Sequence, residues 1–80
     1  MAHVSGWSVA DEKLHKRFHF PDFAGAIQFV DRMAAIAESE GHHPNFCVDF
    51  DRVDVRIWTH AIGGLSENDF ILAAKIDTLA

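Results

Sequence analysis

From Leu14 to Phe20 the apolar residues Leu14, Phe18 and Phe20 share one parity, interrupted only by Lys16, while His15, Arg17 and His19 take the other. A period of two predicts a strand buried on one face. Gly6-Trp7 opens a shorter strand ahead of it. Pro21-Asp22 ends the strand and starts a helix with Asp22 as N-cap, along which Phe23, Ile27, Val30, Ala34 and Ala37 recur at steps of four and three as one apolar stripe. Gly41 is its expected end. Beyond His42-His43-Pro44, Phe46, Val48 and Phe50 alternate with Cys47 and Asp49, Asp51-Arg52 turns the chain, and Val53, Val55 and Ile57 alternate with Asp54, Arg56 and Trp58. The two runs form an antiparallel hairpin ending near His60. Gly63-Gly64 breaks the chain, and Ser66 caps a last helix through Leu79, with Asp69 completing a near-match to a capping box and Leu65 with Phe70 as hydrophobic staple. The order is ββαββα. It implies an α+β fold, a four-stranded antiparallel sheet with helices packed on one face.

Eighty residues, 49% of them hydrophobic and including seven Phe, suit one packed domain spanning residues 1–80. So short a chain buries little surface, and the lone Cys47 forms no intrachain disulfide, which favours self-association. A net charge of −5 argues against a nucleic-acid partner. No apolar run is long enough to span a membrane and no secretory signal opens the chain, so a cytoplasmic location is expected. Protonating all six His would carry the formal charge from −5 to +1, so the charge depends strongly on pH.

Chemistry concentrates in Glu38-Ser39-Glu40-Gly41-His42-His43-Pro44. Carboxylates at a helix C-terminus oppose the macrodipole at a cost of about 0.3–1 kcal/mol each. His42 and His43 can relieve that cost, and a carboxylate bonded to an imidazole sets its tautomer for proton transfer. The plainer alternative is a solvated acidic helix end beside two incidental histidines. His60, at the far end of the next hairpin, converges with them if the sheet brings both ends to one edge; otherwise it is a surface residue. Zinc on His42, His43, His60 and Cys47 is disfavoured, because adjacent histidines rarely chelate one ion and neither paired-Cys spacing nor HExxH is present. Cys47 lies within a strand and suits a structural thiol better than a nucleophile. Asp69 caps a helix whatever else it does, Gly63-Gly64 is a turn rather than a phosphate loop, and Trp7 and Trp58 are core or interface residues.

Gly6-Trp7, Phe18-His19-Phe20 with Asp22-Phe23, Glu38-x3-His42-His43-Pro44, Thr59-His60 and Gly64-Leu65-Ser66-Glu67-x-Asp69 occur in one order over nearly the whole chain. Together they resemble the pterin-4a-carbinolamine dehydratases, a family that includes the dimerisation cofactor of a homeodomain transcription factor. The resemblance implies a lyase acting on 4a-hydroxytetrahydropterin, with His42, His43 and His60 as catalytic residues and Glu38 and Asp69 as supporting acids. His43, Pro44 and Phe46 would bind the pterin. It implies no metal and no organic cofactor, a homodimer or homotetramer, and a place in a pathway with aromatic amino acid hydroxylases. The family's usual helix before the Gly-Trp pair is not found in Met1 to Ser5, and Gly41 and Phe46 stand where many members carry an acid and a Trp. A non-catalytic module that stabilises a partner's oligomer, and a pterin-binding regulator without turnover, are the alternatives.

Overall fold

Two hairpins and the helix between them build the sheet. The computed structural model describes residues 6–59 and 63–79. Its elements are β1 (Ser8–Ala10), β2 (Lys13–His19), α1 (Phe23–Glu40), β3 (Asn45–Asp49), β4 (Arg52–Ile57) and α2 (Glu67–Asp77), the expected ββαββα order. Every pairing is antiparallel and the strand order is β1-β2-β4-β3. Asp11 and Glu12, both left-handed at φ 53° and 59°, close the first hairpin between the paired Ala10 and Lys13. Two consecutive left-handed residues match the right-handed twist of the flanking strands.

Alternation then sorts the two faces. Leu14, Phe18, Val53, Val55 and Ile57 face the helices and are buried with Ala26, Phe29 and Met33 of α1 and Leu72, Ala73 and Ile76 of α2. Phe29 anchors this core, with ring centroids 4.7 Å from Phe18 and 5.0 Å from Phe20, while Trp7 meets Phe18 edge-on at 6.0 Å. Lys16, the interruption in the β2 pattern, also lies on the helix side, opposite Val55. Its Nζ donates to Asp77 Oδ1 at 2.8 Å, and the Trp7 indole N–H donates to the same carboxylate at 3.1 Å. The ammonium thus ties the end of α2 to the sheet while its stem covers apolar surface.

The buried stripe of α1 differs from the expected one. Ala26, Phe29, Met33 and Ala37 are buried; Ile27 and Val30 are half-buried, and Phe23 and Ala34 are exposed. Both sets obey helical spacing, and the sheet selected the one whose bulky Phe29 and Met33 fill the space above β2 and β4. Element ends shift too. The first strand starts at Ser8, Phe20 falls outside β2 although its N–H still donates to Asp51 O at 2.8 Å, and α2 stops at Asp77 instead of Leu79. Phe50 leaves the strand pattern because it adopts φ 55° in the turn, which spans Phe50 and Asp51 while Arg52 already pairs with Asp49.

Candidate functional site

The C-terminus of α1 delivers His42. Gly41 is left-handed at φ 63°, the Gly41 N–H donates to Glu38 O, and the His42 N–H donates to Ala37 O at 3.1 Å. This cap turns the chain so that the imidazole reaches α2, where Nε2 lies 2.5 Å from Asp69 Oδ1. Asp69 is fully buried and the His42 side chain is 18% exposed. Asp69 sits at the third position of α2 because Ser66 is its N-cap, and the Ser66 N–H donates to Asp69 Oδ2 at 2.7 Å, the return half of the expected capping box. The Thr59 hydroxyl donates to the same oxygen at 2.9 Å. One carboxylate therefore serves two tasks: it caps α2 and orients His42.

His43 differs. Its Nε2 lies 2.9 Å from Glu38 Oε1, but the two side chains are 62% and 79% exposed. Glu40, the other acid at this helix end, takes Lys75 of α2 at 2.8 Å rather than a histidine. Each unfavourable carboxylate at the helix terminus thus has a cationic or protonatable partner, and His42 is left to the buried acid. Pro44 is half-buried and leads into β3, where Phe46 faces the helix side opposite Val55 and remains 48% exposed. His60 lies outside the described residues. Cys47 is exposed on β3, opposite Asp54 on the sheet face away from the helices. Among the described residues no group of three or more His, Cys, Asp or Glu side chains is arranged to hold a metal ion.

A second carboxylate cluster occupies that open face, where Asp54 accepts from Arg17 Nε at 2.9 Å and lies 3.2 Å from His15 Nε2. The Arg17 hydrogen bond, aided by His15 against partial burial, holds the Asp54 carboxyl below the usual carboxylate range. Sequence reasoning placed His15 and Arg17 on this face but did not find Asp54 between them. It paired Ser66 with Asp69 through the capping box but missed Thr59 as a further partner of that carboxylate. The capping motif was the available signal for Ser66, but no local pattern identifies a Thr that meets it across a chain reversal.

The molecule is an α+β protein with a four-stranded antiparallel sheet and two helices. The chain belongs to the pterin 4 alpha carbinolamine dehydratase family, whose model matches residues 1–79. It is 52% identical over 81 residues to the Arabidopsis thaliana protein named pterin-4-alpha-carbinolamine dehydratase 2, mitochondrial, covering 95% of this chain and 43% of that one. It is 54% identical to a putative pterin-4-alpha-carbinolamine dehydratase of Rickettsia canadensis, over 90% of this chain and 67% of the relative. A crystal structure of a transcriptional coactivator/pterin dehydratase from Brucella melitensis superposes with a TM-score of 0.92 at 35% identity, covering 96% of this chain and 84% of that one. A pterin dehydratase-like protein identified as a RuBisCO assembly factor in the alpha-carboxysome has a TM-score of 0.78 at 29% identity, with coverage of 98% and 90%. The expected four-stranded antiparallel sheet and element order agree with this fold. No helix among the described residues is long and apolar enough to cross a membrane.

Proposed function

We propose that the chain dehydrates a 4a-hydroxytetrahydropterin to the quinonoid dihydropterin, as the names of its relatives suggest. In this reaction the C4a–O bond breaks, the departing oxygen takes a proton and leaves as water, and N5 loses its proton as its electron pair forms the C4a=N5 double bond. The reaction needs one acid and one base. The observation that carries the reading is the His42–Asp69 pair: a carboxylate that accepts from His42 Nε2 leaves Nδ1 free to give or take a proton at the edge of the site. His60 supplies the complementary transfer. His43, steered by Glu38, binds the pterin with Pro44 and Phe46, whose half-exposed ring offers a flat apolar surface. The protein acts in the cytoplasm without metal or organic cofactor, within the recycling that serves aromatic amino acid hydroxylases.

Self-assembly belongs to the same proposal. β3 is an edge strand with exposed Phe46 and Cys47, and the exposed Phe50 follows it in the turn, the kind of edge that pairs with a second copy. The test of activity is dehydration of freshly generated 4a-hydroxytetrahydropterin, followed by ultraviolet absorbance above the uncatalysed rate. Acceleration that collapses in His42→Ala and His60→Ala supports the enzyme. Pterin binding without acceleration sinks it in favour of a regulator. Loss of both favours a protein-binding module, a reading that suits a fold shared with a pterin dehydratase-like RuBisCO assembly factor.

A further inference from the structure

Asp69 is fully buried, and its two oxygens face different partners. Oδ1 meets His42 Nε2, whereas Oδ2 meets the Ser66 N–H at 2.7 Å and the Thr59 hydroxyl at 2.9 Å. The Ser66 hydroxyl lies 3.5 Å from Oδ2 but only 2.7 Å from Thr59 Oγ1. Thr59 has a single hydroxyl proton and places it on Asp69, so the Ser66 hydroxyl is the donor to Thr59. The result is a directed chain, Ser66 O–H to Thr59 O–H to Asp69 Oδ2, in which each bond polarises the next. The Thr59 N–H also donates to Gly64 O at 2.8 Å, which fixes Thr59 beside the start of α2.

We propose that Thr59 and Ser66 are positioning residues that set the tautomer of His42 through Asp69. Resting on the dehydratase reading above, this adds two hydroxyls that touch no substrate to the machinery of that site. The physical reason is donor accounting. Two donors on Oδ2 occupy that oxygen and stop the carboxylate rotating, so Oδ1 is the acceptor that faces His42, which presents Nε2–H to it. The Nδ1 lone pair is then the one that works. Without the Thr59 hydroxyl, Oδ2 keeps only the Ser66 N–H as a close donor, the carboxylate is freer to turn, and His42 is no longer held to one tautomer.

Long-range 1H–15N correlation of the labelled chain reads this directly, with His42 assigned by loss of its signals in His42→Gln. The unaltered chain should show Nε2–H and an unprotonated Nδ1 at a pH where the ring is neutral. Thr59→Val should give a mixture of tautomers and a kcat about ten- to a hundredfold lower, with KM within about twofold. Thr59→Ser should restore both. Ser66→Ala, which keeps the backbone N–H, should move the tautomer in the same direction but less far. A predominant Nδ1–H form in the unaltered chain overturns the proposal without any variant. So does a Thr59→Val protein with unaltered tautomer and kcat. A merely structural role would lower the thermal midpoint and leave the tautomer unmoved. The nitrogen signals need no turnover, so failure of the dehydratase assay and failure of the tautomer assignment are separate results.

Discussion

Burial decides how much each of the two imidazole–carboxylate pairs at the end of α1 contributes. His43 and Glu38 are mostly exposed, and such pairs contribute at most about 1 kcal/mol. Glu38→Ala should therefore change stability by about 0.5 kcal/mol or less and, if Glu38 steers the pterin-binding ring, act mainly on KM. Asp69 is fully buried, and Asp69→Asn points an amide N–H₂ at an existing donor. Leaving buried donors unmatched costs about 1–3 kcal/mol, so the urea midpoint should fall without a change in m. His42→Ala should lower kcat by about a hundredfold or more, the usual contribution of a positioned acid or base. Imidazoles change charge around neutrality, so the rate above background should follow a bell centred there; a flat profile from about pH 5 to 9 would count against paired acid and base roles. Asp54 sets a separate limit in acid. Because Arg17 depresses its folded value, its contribution to stability is complete above the ordinary aspartate value of about 4 and is lost as pH falls through the lowered one. Urea midpoints from about pH 5 to 2 should therefore converge for the unaltered chain and Asp54→Asn at the acid end only.

At the scale of elements, the ends of the two helices matter more for the site than their lengths. Gly41 has open space where a Cβ would go, so the penalty of Gly41→Ala is its left-handed backbone alone, about 1–2 kcal/mol. Because the same residue turns His42 toward α2, that variant should lose activity beyond what its lowered thermal midpoint explains. Phe29 is the contrasting case. It lies under Phe18 and Phe20 in the core and touches no site residue by hydrogen bond, so Phe29→Ala should cost about 3–5 kcal/mol and leave kcat per folded molecule nearly unchanged. Titrating both variants with denaturant and assaying them at matched folded fraction separates the two effects.

Across the whole molecule, charge is distributed unevenly despite its net value of −5. Lys13, Arg17, Arg52 and Arg56 lie on the open face of the sheet with His15 and His19, because β2 and β4 alternate in phase and every outward position of one strand neighbours an outward position of the other. The acids at the end of α1 and start of α2 lie on the helix side. β3 forms one edge of the sheet among the described residues, with the exposed Phe46 on it and the exposed Phe50 just after it. Light scattering during gel filtration should return a multiple of 8.9 kDa for the unaltered chain and a smaller species for Cys47→Lys, since an edge lysine opposes strand pairing. A monomer at tens of micromolar in the unaltered chain would sink the assembly proposal.

Local rules carried much of this protein. Parity along β2 and β4, the Asp22 and Ser66 caps, the Gly41 stop and the capping-box acid are determined by residues a few positions apart, because strand alternation and helix capping are local physics, and all are found as the sequence predicts. Family membership was legible for a related reason: the motifs Glu38-x3-His42-His43-Pro44 and Ser66-Glu67-x-Asp69 sit at helix termini, where chemistry and folding constrain the same residues. The rest required the tertiary structure. Two stripes on α1 satisfy one periodicity, and only packing against the sheet chose Phe29 and Met33. Lys16 looked like an interruption until Asp77, distant in sequence, met it. Asp69 reaches His42 across 27 positions, and Thr59 reaches Asp69 across a chain reversal. Such contacts are absent from any local pattern, because they depend on how two helix ends and a strand end are placed by a core to which none of these polar groups contributes.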